Sequence, residues 1–247
     1  MITTELKEHV LARWPEKRLV DVRIGLGYTA VRLDNDSVGV AYTFHREAAS
    51  GCSVFKGKRP LAGRTTTEIL DYLESSDPLE AAVGLACANA LVNQPQPEHC
   101  EGDLLHFLSV GFLDRVGMVG FFGPLVAPLK KRSRELLIFE RDVTRADGLL
   151  PAAEAFARLP QCDVAVITST SLMLGQLDRL LEAASGCREV ALVGASTPLA
   201  PEVFKPYQVT LLSGITVLDG PSVLQVVSEG GGMEFFGDSV RKVNVRV

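Results

Sequence analysis

Apolar and polar positions change rhythm several times along this chain. Leu6, Val10, Leu11 and Trp14 recur at helical spacing and predict a first amphipathic helix. "LVDVRIGLGYTAVRL" and "SVGVAYTF" then alternate apolar and polar residues about Gly25 and Gly27, which predicts an antiparallel hairpin or meander. Because strand flanks that Gly-x-Gly on both sides, it lacks the helix a phosphate loop needs. Two helix starts follow: Thr65 stands three before Glu68, and Asp77 three before Glu80 with Pro78 at the first helical position. The second of these helices, "PLEAAVGLACANALVN", is small and apolar nearly all round, so it is expected to be buried on several sides. "NQPQPEHCEG" breaks every period and reads as a linker, dividing residues 1–97 from 98–247. Beyond it, "RVGMVGFF", "ELLIFE", "CDVAVIT", "EVALVG" and "YQVTLL" with "GITVLD" read as strands, most of them separated by helical stretches such as "LMLGQLDRLLEAA". The fold class predicted is α/β: a Rossmann-like, doubly wound, mostly parallel sheet preceded by a smaller α+β unit.

Composition narrows the partners. The chain has 247 residues, 47% hydrophobic and 22% charged, enough for one sizeable core or two modest ones. A net charge of -5 argues against nucleic acid, which needs a basic face. Lys130, Lys131, Arg132 and Arg134 are the local exception; they read as a solvated helix end complementing the macrodipole, with a binding patch as the alternative. Five scattered cysteines without CxxC spacing argue against a disulfide framework and fit a reducing cytoplasm. The amino terminus does not read as a secretory signal, and the longest apolar run, Val116 to Leu129, is too short and too broken to span a bilayer, so no membrane partner is expected.

Candidate chemistry gathers where the strands of the second unit end. In open parallel sheets ligands sit beyond the carboxyl ends of strands, near a switch in strand order. In "VGMVGFFGPLVAPLK" the first strand runs into Gly120-Phe121-Phe122-Gly123-Pro124, glycines that let backbone approach a ligand and a proline that can start a helix. Both phenylalanines read as core and rim residues. Glu140 ends the second strand about 20 residues on, where a dinucleotide fold carries its ribose-binding acid; a solvated Glu is the alternative. Thr168-Ser169-Thr170-Ser171 follows the third strand with more hydroxyls than a helix cap needs. Gly194-Ala195-Ser196-Thr197-Pro198 follows the fourth. Asp219 reads as a helix cap before Pro221. The histidines pair with no nucleophile at a recognised spacing. His99, Cys100 and His106 with Glu101 and Asp103 match no compact zinc module, and His45, near Cys52, could reach a cleft between the two units.

With these residues in view, "VGMVGFFGPLV", "CDVAVITSTSLMLGQLDRLLE", "VALVGASTPLAPEVF" and "LSGITVLDG" resemble the heavy-metal chelation family, first defined as a domain of unknown function. "GLGYTAV", "VGVAYTF" and "GLACANALVN" resemble the companion domain found ahead of it. The resemblance implies an amino-terminal domain similar to the enolase amino-terminal fold, packed on a Rossmann-like domain, with a site between them. It matches Gly120, Gly123 and Pro124 to the first glycine loop, Thr168, Thr170 and Leu172 to the hydroxyl loop, Gly194 and Ser196 to the next, and Asn89 to the companion's Asn-Ala pair. The chain departs from the family pattern at Leu174-Gly175 and at Gly194-Ala195-Ser196.

The leading expectation is therefore a cytoplasmic metal-handling protein that binds a heavy or transition metal ion, or a metal-chelating small ligand, between its two units. The second is an enzyme for a small anionic substrate, with a nucleotide or S-adenosylmethionine at Gly120 to Gly123 and Glu140 on the ribose. A scaffold that associates as a homodimer is the third.

Overall fold

The structure, a computed structural model, describes residues 1–47 and 53–247; Cys52 lies outside the described residues. Helix α1 (Ile2–Arg13) buries Leu6 and Val10 but leaves Leu11 on the solvent side. Strands β1 (Leu19–Ile24), β2 (Tyr28–Leu33) and β3 (Val38–Tyr42) form the expected antiparallel meander, in the order β1-β2-β3. Both helix-start signals hold. Thr65 makes a capping box with Glu68 ahead of α2 (Thr66–Leu70), and the Asp77 side chain accepts the Leu79 amide at the start of α3 (Pro78–Val92). Nearly every residue of α3 is buried, because the helix lies across β2 and β3 and is covered from its other side. Gly39 permits that approach: a Cβ there would lie 2.1 Å from the Ala90 nitrogen and 2.3 Å from the Ala86 oxygen.

The second unit is an eight-stranded sheet. Its strands are β4 (Cys100–Glu101), β5 (Arg115–Val119), β6 (Glu135–Glu140), β7 (Leu150–Pro151), β8 (Val164–Thr168), β9 (Glu189–Val193), β10 (Leu211–Val217) and β11 (Val240–Arg246). The spatial order is β4-β11-β10-β9-β8-β5-β6-β7. The six strands from β10 to β7 run parallel, while β11 is antiparallel to β10 and to β4. Helices α4 (Gly123–Arg132), α5 (Ala155–Arg158), α6 (Leu177–Ala183), α7 (Pro201–Phe204), α8 (Gly220–Ser228) and α9 (Met233–Phe236) lie along the chain between the strands. Successive residues of β8 separate onto two faces: Ala165 and Ile167 join the core that continues into α3 and the small sheet, and Val164 and Val166 join the core under α4. One continuous apolar core thus ties the two sheets together.

Three local expectations change. "YQVTLL" and "GITVLD" are not two strands, since β10 runs unbroken through Gly214, where a Cβ would come within 3.1 Å of the Thr197 oxygen. The helix in "LMLGQLDRLLEAA" starts only at Leu177, because Gly175 adopts a left-handed φ of 61° just before it. The end of "NQPQPEHCEG" is not free linker either: Cys100 and Glu101 pair with β11. No helix among the described residues is long and apolar enough to cross a membrane.

Candidate functional site

Sheet order puts a switch between β5 and β8: the chain proceeds from β5 outward to β6 and β7, then returns to β8 on the other side. At such a point the loops leaving two neighbouring strands diverge and leave a crevice. Here a cavity of about 750 Å³ lies at the carboxyl ends of β5, β6 and β8, and Tyr42 at the end of β3 lines it together with Phe44–Glu47 just beyond. That volume suits a ligand of cofactor size.

The floor is made by the first glycine loop. Gly120 takes a left-handed φ of 91° as β5 ends, its amide donates to the Phe139 carbonyl at 2.8 Å, and a Cβ there would press within 3.1 Å of Thr168 Cβ. Phe121 and Phe122 are half-buried and line the cavity, and α4 begins straight after them with no side-chain cap. Pro124 has no N–H and the Leu125 amide donates to the Phe122 carbonyl at 2.9 Å, so this helix start offers few free amides. Thr168, Thr170 and Ser171 line the wall, with the Thr168 and Thr170 hydroxyls 2.9 Å apart and Ser171 Oγ donating to the Thr168 carbonyl at 2.6 Å.

Glu140 lines the cavity but is already engaged. Its carboxylate accepts the Phe121 amide at 2.8 Å, the Arg141 amide at 2.7 Å and the Asp142 amide at 3.3 Å, and pairs with Arg145 at 3.3 Å. Four donors fill the acceptor sites of one carboxylate. It stands at the end of β6, and its bonds make it the tether of the glycine loop.

Charge at the rim is balanced and bridges the two sheets. Arg141 pairs with Glu47 at 2.7 Å and Arg46 with Asp142 at 3.6 Å. Hydrogen bonds from the Thr144 hydroxyl and amide hold the Asp142 carboxyl below the ordinary carboxylate range, with Arg46 and Arg145 adding to the effect. Arg141 also lies over the Phe44 ring and Arg145 over Phe121, at 5.5 and 5.4 Å. With one carboxylate partner each among the described residues, Arg46 and Arg141 keep N–H donors for an oxyanion.

Of the residues singled out by sequence, Gly120, Phe122, Glu140, Thr168 and Thr170 line this cavity, as does His45, while Asn89, Gly123, Pro124, Ser169, Gly194, Ser196 and Thr197 do not. Asn89, Ser196 and Thr197 instead fasten one sheet to the other. Asn89 Nδ2 donates to the Val40 and Ser196 carbonyls at 2.9 and 3.2 Å, and Ser196 Oγ accepts the Tyr42 amide at 2.8 Å. Asn93, unremarked in the sequence, donates to the Thr197 and Ile215 carbonyls and accepts the Leu199 amide. Ser169 is fully buried beside Gly194, within 3.3 Å of where a Cβ on that glycine would sit. Asp219 is the cap it was read as, accepting the Ser222 amide at 3.2 Å. Arg46, Glu47, Arg141, Asp142 and Arg145 escaped notice. The one signal for them was position, since Arg141 and Asp142 directly follow the acid at a strand end.

A bare metal ion does not fit these donors. Among the described residues no three His, Cys, Asp or Glu side chains are grouped to hold one. The cavity's acids are bound to arginines, and burial raises the thiols of Cys87, Cys162 and Cys187, which lie outside the cavity lining. Soft ions want thiolates and hard ions want free carboxylates; neither is offered here.

Two family models, each described as "Putative heavy-metal chelation", match residues 7–92 and 103–246. The chain belongs to this family. Over all of its length it is 26% identical to an uncharacterized protein of Methanocaldococcus jannaschii, covering 98% of that protein. It also resembles the crystal structures of two family members of unknown function. One, from Pyrococcus horikoshii, superposes with a TM-score of 0.88 over 100% of both chains at 23% identity, which speaks for the fold alone. The other, from Desulfitobacterium hafniense, gives a TM-score of 0.83 at 27% identity over 99% of this chain and 98% of that one.

Proposed function

We propose that the protein binds a metal as its complex with a small carboxylate-bearing chelator, and that the cavity between the two sheets is where it does so. The observation that carries this reading is the kind of donor lining the cavity: guanidinium N–H groups of Arg46 and Arg141 and threonine hydroxyls, with no cage of metal-ligating side chains among the described residues. Such donors recognise the oxygens of an anionic organic ligand. Phe44, Phe121 and Phe122 supply apolar surface for its carbon frame. In this arrangement the chelator, not the protein, ligates the metal.

The test is calorimetric titration with nickel, ferric and cobalt citrate, with the same ions uncomplexed, with metal-free citrate and with molybdate. Binding of a citrate complex in the micromolar range, much weaker binding of the free ions, and loss of about tenfold or more in Arg46→Ala and Arg141→Ala would support the reading. Equal affinity for free ions, or no binding of any probe, would overturn it.

The second reading, an enzyme holding a nucleotide or S-adenosylmethionine at Gly120 to Gly123, draws support from the cavity's place at the β5/β8 switch. Against it stands Glu140, whose carboxylate would have to release four donors to reach a ribose.

A further inference from the structure

The amino edge of the large sheet, opposite the cavity, carries a turn with no evident use inside the molecule. Gly111–Asp114 closes through the Asp114 amide on the Gly111 carbonyl at 3.0 Å and the Gly111 amide on the Asp114 carboxylate. Arg188 grips the same carboxylate with two bonds, at 2.6 and 3.0 Å, and the Arg134 amide takes the Asp114 carbonyl at 2.8 Å. The turn is therefore held firmly on three sides. Its two central side chains, Phe112 and Leu113, nonetheless stand 79% and 83% exposed. Polar residues would make that turn equally well, so its geometry does not explain two large apolar groups at the tip.

Positive charge lies at the same edge. Helix α4 ends in Lys130, Lys131 and Arg132, and Arg134 stands just before β6, its amide and that of Glu135 both bonding to the turn. All four side chains are exposed, and none has an ion pair among the described residues. Of the acids nearby in the fold, Asp114 pairs with Arg188 and Glu135 with Arg115, while Asp163 accepts the Arg115 amide at 2.7 Å. In a chain of net charge -5 this is a local excess of cations at the edge that carries the protruding apolar pair.

We propose that this edge docks on an anionic lipid surface, with Phe112 and Leu113 entering the headgroup region and Lys130, Lys131, Arg132 and Arg134 resting on its phosphates. A shallow apolar insertion with cations beside it needs only depth and negative charge from its partner, both of which a headgroup layer offers. Two-fold pairing with a second copy would set these unpaired cations against their own kind. The expectation of no membrane partner came from the lack of a spanning segment, which peripheral docking does not need. The cavity, at the other edge of the sheet, stays open to solvent when the protein is docked, so this inference is independent of what the cavity holds.

Co-sedimentation of the full chain with vesicles tests it. Binding to phosphatidylcholine–phosphatidylglycerol vesicles, little binding to phosphatidylcholine alone, and release by salt are expected. The pair Lys131→Gln/Arg134→Gln is expected to lower partitioning roughly thirtyfold at low salt, and Phe112→Ser/Leu113→Ser about tenfold or more. Because all four side chains are exposed, an unchanged thermal midpoint checks that each variant is folded. No preference for anionic vesicles, or undiminished partitioning of Phe112→Ser/Leu113→Ser, would overturn the proposal. So would a self-associated chain that ignores vesicles and becomes monomeric in that same variant.

Discussion

Replacing Glu140 by Gln separates a tether from a ligand acceptor. The carboxylate holds the amides of Phe121, Arg141 and Asp142 and the guanidinium of Arg145. Gln keeps the shape, removes the charge and turns one oxygen into a donor. Whichever way the new amide faces, it abandons two donors: Phe121 and Arg145 on one side, or the Arg141 and Asp142 amides on the other. A hydrogen bond to a charged acceptor contributes about 1.5–3 kcal/mol. Two such losses, discounted for the solvent that reaches Arg145, come to about 3 kcal/mol. For a chain of this size that lowers the thermal midpoint by about 6–12 °C. Scanning calorimetry of Glu140→Gln reads the shift, and hydrogen exchange at the Phe121 amide reports whether the glycine loop has come loose. A midpoint within about 2 °C of wild type, with Phe121 still protected, would refute the tether. If that variant instead stayed stable and lost adenosylmethionine or nucleotide binding, Glu140 would be the ribose acceptor and the enzyme reading would gain.

Three further outcomes follow from the same structure. Gly39→Ala would drive a methyl into the α3 backbone at 2.1 Å from the Ala90 nitrogen, so a loss of at least about 3 kcal/mol and poor soluble yield are expected; a wild-type midpoint would contradict that packing. Arg188 holds the Asp114 carboxyl below its ordinary value of 3.8, so its contribution to stability is present above that pH and is lost as pH falls below it through the lowered folded value. Asp114→Asn should therefore flatten the acid limb of the stability curve, and an unchanged limb would remove Asp114 from it. Burial pushes the Cys162 thiol up to about 11 and Cys187 to about 12, and raises Cys87 further, while Cys100 is exposed. Native protein treated with iodoacetamide near pH 8 should thus be alkylated at Cys100 and spared at these three, as peptide mass spectrometry would reveal.

Chain-local signals were legible because their physics acts within a few residues. The capping box of Thr65 and Glu68, the Asp77–Pro78 start of α3 and the alternation through β1, β2 and β3 are each settled by neighbours in sequence. So is the alternation of strands and helices that announced a mostly parallel sheet. Long-range pairing was not legible. β11 arrives at the end of the chain to pair with β10 and β4, and the final residues of the apparent linker become an edge strand only because β11 is there to receive them.

By itself the sequence determined most of the helices and strands, their apolar faces and the glycine and hydroxyl corners at the strand ends, since propensity, capping and periodicity need no distant partner. Only the tertiary structure decided what those corners do. Gly120, Thr168 and Glu140 meet at one cavity because β5, β6 and β8 lie side by side. Asn89 and Ser196, 107 positions apart, spend their polarity joining two sheets, and Arg46 and Arg141 reach the cavity from after β3 and after β6. Contacts across so many residues depend on how two surfaces pack, which no local preference records.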